Sequence, residues 1–284
     1  MQFIDFARAY GLLIKDLYPS ERIKRCGTLT HPKKNNGAYF WDGERGWVFD
    51  WAGDGQAKWF YTDKPWTEAE KAEWKKKQQV NFEAQERKYV MAAKKAEAIL
   101  NSATPKTHDY LYRKGFKDQE GLVLPDGSLA VPMRNVRTNA IQGFQSIYWD
   151  DKEWQKKMLP GMRAKYAVFR MGAKNAPETV LCEGYATGLS IYQAVRMSGL
   201  NMAVMVCFSA NNMGAVASMV PGKKFIYADN DKSKTGEEKA KEIGVPYCMS
   251  EAEGNDANDD HVQFGLMYVV KKIMDVRLAE VAEA

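Results

Sequence analysis

Residues 225–231, FIYADND, decide how this chain is read. Four mostly apolar residues predict a buried strand, and the strand runs straight into Asp229 and Asp231. A core strand that ends on two carboxylates places charge at a sheet edge, where something must neutralise it. The neighbouring sequence repeats the pattern. The apolar runs 179–182 (TVLC), 203–208 (AVMVCF), 224–228 (KFIYA) and 246–249 (PYCM) alternate with helical patterns near 186–198, 212–219, 235–243 and 258–281. Such β-α alternation predicts a parallel sheet with crossover helices, so the fold class is α/β.

Ligands of open parallel sheets bind outside the carboxyl ends of the strands. Here one such end carries Glu183, a second carries Asp229 and Asp231, and a third leads to Asp256, Asn258 and Asp259. Crowded carboxylates suit a divalent cation, and Mg²⁺ takes a few of them together with water and phosphate oxygens. A metal site at this edge is therefore expected.

Working outward, four blocks are expected: 1–63, 64–101, 102–177 and 178–284. The first is rich in aromatics and Gly, with turn signals at Asp42-Gly43 and Asp54-Gly55, and predicts a small β meander after a helix near 3–17. Trp41, Trp47, Phe49, Trp51 and Trp59 serve as its core, since so small a unit needs bulky side chains; any exposed member is free to stack on bases. The second block predicts a connector helix opened by a capping box of Thr67 and Glu70. The third predicts a mixed α/β subdomain, with a short helix ending at Gly115 and a turn at Asp126-Gly127.

Charge separates these blocks. Residues 102–177 hold thirteen Lys and Arg against seven Asp and Glu, whereas 178–284 hold ten against fifteen. A basic block beside an acidic one suits a polyanion held next to a metal. Arg134 ends the apolar run VPM, where a surface charge is least expected, and is the leading phosphate contact. Lys156, Lys157, Arg163, Lys165 and Lys232 are further candidates for nucleotide or template. Asn211 and Asn212 stand at the start of a helix, to contact a phosphate or to cap that helix, with the cap favoured for at least one of them.

Other classes are disfavoured. No run approaches the roughly 20 apolar residues of a membrane helix, so no membrane is expected and the cytoplasm is the expected location. Cys26, Cys182, Cys207 and Cys248 form no CxxC pair, so no zinc is expected and free thiols are. His31, His108 and His261 are scattered, and read as surface or capping residues. No GxxxxGK[ST] occurs, so no helicase motor is expected.

CEGYATGLSIYQA (182–194), ADND (228–231) and NDANDDH (255–261) resemble the Toprim domain. EGYATGLS is similar to the wording found in primases of bacteriophages and conjugative plasmids. HDYLYRKGF, VPMRN followed by IQGFQSIYWDD, and KKMLPGMRAKYAVF resemble the segment that precedes Toprim in those primases. FSANNM and GAYFWDGERGWVFDWAGDG extend the likeness over most of the chain.

The resemblance implies a Toprim-domain DNA primase that makes short RNA primers on single-stranded DNA from ribonucleoside triphosphates. It implies Mg²⁺, or Mn²⁺ in its place, and a separate replicative helicase as partner. By position, Glu183 takes the acid–base or metal role, Asp229 and Asp231 bind metal, and Asp256 or Asp259 supplies the outer carboxylate. Two departures stand out. Many Toprim proteins carry a further Asp where this chain has Thr187, and the N-terminal zinc ribbon of bacterial replicative primases is missing. The same acids would also serve a Toprim nuclease, and a non-catalytic single-stranded nucleic-acid-binding accessory is the third reading.

Overall fold

The computed structural model describes residues 2–33, 35–51, 53, 56–60, 68–232 and 234–282. The expected turn at Asp54-Gly55 and the expected Thr67–Glu70 capping box lie outside the described residues. The chain folds as two compact units, Met1–Val80 and Asn81–Ala284.

The first unit opens with α1 (Phe3–Ala9), followed by β1 (Leu12–Leu13), β2 (Ser20–Thr28), β3 (Gly37–Trp41), β4 (Gly46–Asp50) and β5 (Lys58–Phe60). The helix expected over 3–17 stops at Ala9. Gly11 takes φ +79°, a left-handed conformation that ends helices, and Leu12-Leu13 pair with β2 instead. The five strands form one antiparallel meander in sequence order. Asp42 Oδ1 accepts from the N–H groups of Glu44 (2.9 Å) and Arg45 (2.7 Å), which makes the β3–β4 turn. Strand alternation sends Tyr39 and Val48 inward onto Phe3, Phe6 and Leu12 of this unit, with Trp41 and Phe60 packed beside them.

The second unit shares α2 (Glu68–Asn101) with the first and continues through β6 (Thr104–Lys106), α3 (Asp109–Arg113), β7 (Gly121–Val123), β8 (Leu129–Asn135), β9 (Ile141–Trp149), β10 (Trp154–Met158) and β11 (Ala167–Met171). Then come β12 (Glu178–Cys182), α4 (Tyr185–Met197), β13 (Met202–Val206), α5 (Ala210–Ala217), β14 (Lys223–Ala228), α6 (Thr235–Ile243), β15 (Tyr247–Met249), α7 (Ala257–Phe264) and α8 (Leu266–Ala282). The single helix expected over 258–281 is two. Gly265, at φ +85°, breaks it.

One sheet runs β10-β9-β8-β11-β13-β12-β14-β15, with β7 also beside β8 and β6 beside β7. Strands β13, β12, β14 and β15 are mutually parallel, as the β-α alternation predicted. Strand β11 is antiparallel to both β13 and β8, and so joins the parallel strands to the antiparallel ones. Leu189 and Ile191 of α4 with Val269 and Ile273 of α8 fill one face of the sheet. Met213 and Val216 of α5 with Ala240 of α6 pack the other, against Leu181, Met205 and Ile226. Burying each of the larger of these side chains is worth about 1.5–3 kcal/mol.

Asn212 secures the junction at β11. Its Oδ1 accepts from Tyr166 N (2.7 Å), and its Nδ2 donates to Ala167 O (2.8 Å) and Cys207 O (2.9 Å). The capping role expected of Asn211 or Asn212 belongs instead to Ser209, whose Oγ accepts from Asn212 N. His108 does cap, accepting from Tyr110 N at the start of α3. His261 is not a surface residue: it is half-buried, with Nδ1 at 3.0 Å from Ser190 Oγ. Cys26, Cys182 and Cys207 are buried free thiols, and Cys248 is half-buried.

Candidate active site at the carboxyl edge of the sheet

Strands β12 and β14 are neighbours, with Leu181 opposite Ile226. Glu183 and Asp229 therefore leave adjacent strands at one edge. Beyond β13 the chain continues in register, with Cys207 N on Cys182 O and Phe208 N on Glu183 O (3.0 Å). Phe208 then adopts φ +63°, uncommon for a bulky residue, and this turn delivers Ser209 as the cap of α5. The Ala210 backbone N–H lies near enough to Glu183 to favour its charged form.

The acids sense one another. Burial raises the Asp229 carboxyl to about 7, and repulsion from Asp256, Glu183 and Asp231 adds to it, with Lys156 opposing. Burial likewise raises Glu183; the Ala210 N–H and the Lys156 charge pull it back, and Asp231 raises it further. Asp229 Oδ1 is buried without a hydrogen-bond partner among the described residues. A buried, unpartnered carboxylate oxygen among other carboxylates fits a divalent cation. Among the described residues no three His, Cys, Asp or Glu side chains converge closely enough to form a ligand shell.

Asn230, between the two aspartates, pins the loop. Its N–H donates to Asn255 O (3.0 Å), its carbonyl accepts from Gly254 N (2.6 Å), and its Nδ2 donates to Ser250 O (3.1 Å) and Ala252 O (3.2 Å). Gly236 serves the same loop from the other side. A Cβ there would stand 2.4 Å from Asp229 O, so only glycine lets α6 start this close to the acid.

Asp256 is the N-cap of α7. Its Oδ1 accepts from Asn258 N (2.6 Å) and Asp259 N (3.0 Å), and its Oδ2 accepts from Thr187 Oγ1 (2.8 Å). Asp259 Oδ2 accepts in turn from Asp256 N, completing a capping box, and its Oδ1 lies 3.7 Å from Lys114 Nζ. Behind them Asp260 is fully buried and accepts from Tyr227 OH (2.7 Å), Ser250 Oγ (2.5 Å) and Asn255 Nδ2 (3.2 Å). Neither Asn230 nor Asp260 stands out in the sequence. Both look like ordinary loop polarity until their partners, many residues away, are known.

The six basic candidates have different placements. Lys156, on the edge strand β10, is close enough to act on both Glu183 and Asp229. Lys157 lies over the Tyr148 ring, and Lys165 over Tyr166. Arg163 pairs with Glu86 and covers Tyr89, both on α2. Lys232 is exposed and follows the acid pair directly. Arg134 lines a cavity of about 280 Å³ together with Arg137, Arg170 and Lys174, and none of the described residues lining it is acidic. Arg170 is anchored there by Val136 O (3.2 Å), and burial lowers the pKa of its guanidinium. Arg137, Arg170 and Lys174 carry no signal in the sequence, because no periodicity tells which side of β11 lies open.

Residues 178–266 match the family model of the Toprim domain, a span that holds Glu183, Asp229, Asp231, Asp256 and Asp259. The chain thus carries a Toprim domain toward its C-terminus, built on parallel strands, and Toprim domains bind Mg²⁺ through acidic residues. No curated protein matches the chain. Among solved structures, similarity extends to a chain in the structure of bacteriophage T7 lagging-strand DNA polymerase interacting with the primase domains of two gp4 subunits bound to an RNA/DNA hybrid and dTTP. The identity is 14%, the TM-score 0.39, and the match covers 59% of this chain and 84% of that one. Among the described residues, no helix is long and apolar enough to cross a membrane.

Proposed function

We propose that this protein is a primase that builds short RNA primers on single-stranded DNA, with a separate helicase opening the duplex. One observation carries the reading: Glu183 and Asp229 leave adjacent strand ends, repel one another, and feel the charge of Lys156 from strand β10 of the same sheet. The sequence likeness of residues 102–177 to the segment before Toprim in phage and plasmid primases selects this activity among Toprim chemistries.

Asp229, Asp231 and Glu183 would hold Mg²⁺, and Asp256 Oδ2, which accepts from Thr187, has a second lone pair to offer. Bound there, Mg²⁺ would neutralise charge on the triphosphate of an incoming nucleotide. Glu183, whose pKa burial raises, is suited to accept the proton of the attacking hydroxyl. Lys156, whose charge reaches both Glu183 and Asp229, would meet the phosphates beside the acids. Arg134, Arg137 and Lys174 supply a cationic wall for triphosphate or template. Asp259 shapes the α7 terminus and is tied to Lys114, and Arg163 braces α2.

The test is primer synthesis on single-stranded DNA with Mg²⁺ and ribonucleotides. Wild-type protein yields short oligoribonucleotides, and Asp229→Asn, folded by circular dichroism, yields none. Absence of product from the wild type on every template overturns the proposal. Cleavage of labelled nucleic acid without added nucleotides reassigns the site to a nuclease.

A further inference from the structure

The meander of the first unit has two faces. Tyr39, Trp41, Val48 and Phe60 point inward. The residues between them point outward and align across the strands. Arg25, Ala38 and Phe49 form one row; Phe40, Trp47 and Trp59 form the next. Trp51, bonded through its N–H to Asn36 O, continues the side of Phe49 and meets its ring edge-on at 4.6 Å.

This outer face is aromatic and partly exposed, with Ala38 of its first row buried. Trp51 is 52% exposed and Trp59 55%, and Phe40, Trp47 and Phe49 are half-buried. Core demand does not account for such rings, because Val48, Phe3 and Phe6 already fill the inner side. Among the described residues of the two rows the charged side chain is Arg25, whose guanidinium lies 3.7 Å from the Trp51 ring centroid. The acids of these strands, such as Asp50, fall on the alternate positions.

We infer that this face is a stacking platform for an unpaired nucleic-acid strand. Rows two residues apart stand roughly 6.6 Å from each other, so rings of successive rows engage different bases. Sheet aromatics that stack two or three bases are an established mode of single-strand recognition. Stacking is sequence-tolerant, because every base has a π face, and Arg25 supplies the cation for the backbone. The identity of the occupant rests on the proposed primase activity, whose template is such a strand; the platform itself rests on Trp47, Trp51, Trp59 and Arg25.

The experiment titrates the full chain with a fluorescein-labelled oligothymidylate, read by anisotropy, in EDTA and without nucleotides, so that the acid site takes no part. Wild type binds, and its tryptophan emission is quenched. Trp51→Ala with Trp59→Ala weakens binding by about fivefold or more per ring, and the corresponding Phe pair recovers most of it. Because binding is read without metal or nucleotides, a wild type that binds but makes no primer overturns the primase reading alone, and one that makes primer without tryptophan quenching overturns this proposal alone. The proposal is overturned if the Ala pair, with unchanged Tm, binds as tightly as wild type. Should that pair misfold, absence of tryptophan quenching in the wild type overturns it instead.

Discussion

Thr187 Oγ1 donates to Asp256 Oδ2 at 2.8 Å, tying the first turn of α4 to the N-cap of α7. Thr187 stands four residues after Glu183 and is buried. Where many Toprim proteins carry another acid, this chain therefore has a donor that orients an acid from a different helix. Thr187→Val removes the bond and leaves that carboxylate short of a partner. The expected cost is about 1.5–3 kcal/mol in urea-induced unfolding, as for hydrogen bonds to charged groups. Thr187→Ser is expected to keep most of the stability. Equal midpoints for Val and wild type would show that the bond contributes nothing.

Asp229 makes stability depend on pH. Its carboxyl titrates near 7 in the folded protein, because burial and three neighbouring acids disfavour the charge, and near 3.9 when unfolded. Between those values the unfolded chain has released the proton and the folded chain holds it, so rising pH favours unfolding. Metal-free wild type should lose stability from about pH 4 to about pH 7 relative to Asp229→Asn, then level off. The total is on the order of 4 kcal/mol. At pH 8 in EDTA the variant should have the higher Tm, and Mg²⁺ should raise the Tm of wild type more. Parallel Tm–pH curves for the two proteins would refute this.

Asp260 underlies the acid loop. It accepts from Tyr227, Ser250 and Asn255, and the Asn255 carbonyl receives the N–H of Asn230. Asp260→Ala strands the Tyr227 and Ser250 hydroxyls in the interior, while Asn255 Nδ2 keeps Gln263 Oε1, at a cost of roughly 2–5 kcal/mol. Asp260→Asn preserves the volume but replaces one acceptor oxygen with a donor, and should fall between. Calorimetry should show weaker Mg²⁺ binding in both, since Asn230 is then less firmly held between Asp229 and Asp231. Unchanged Mg²⁺ affinity in a folded Asp260→Asn protein would separate the network from the site.

The arginine-lined cavity makes a prediction in salt. Arg137 and Lys174 are exposed on its wall. Replacing both by Ala should weaken oligonucleotide binding similarly for all sequences. It should also flatten the log Kd against log salt slope by about one unit for each phosphate no longer neutralised. An unchanged slope would leave the cavity without a role in phosphate binding.

The helices and strands around the acids were legible because each apolar run is short, nearly continuous and closed by a charge or a turn residue. Such runs bury on both faces and need no partner to declare themselves. Breaks were less legible. Gly11 and Gly265 each end a pattern whose periodicity continues past them, so the helices expected over 3–17 and 258–281 came out too long.

From the chain alone one learns that Glu183, Asp229 and Asp231 follow strands, because a side chain's distance from the end of an apolar run is a local property. Tertiary structure decided what no local pattern carries. It brought Lys156 to the acids across the sheet, spent Arg163 on Glu86, and set Asn212 as the bridge between β11 and β13. It also left Trp51 and Trp59 in solvent while Trp41 entered the core. Register and the choice of face depend on which strand lies alongside, and that is settled only when segments far apart in sequence close on a shared core.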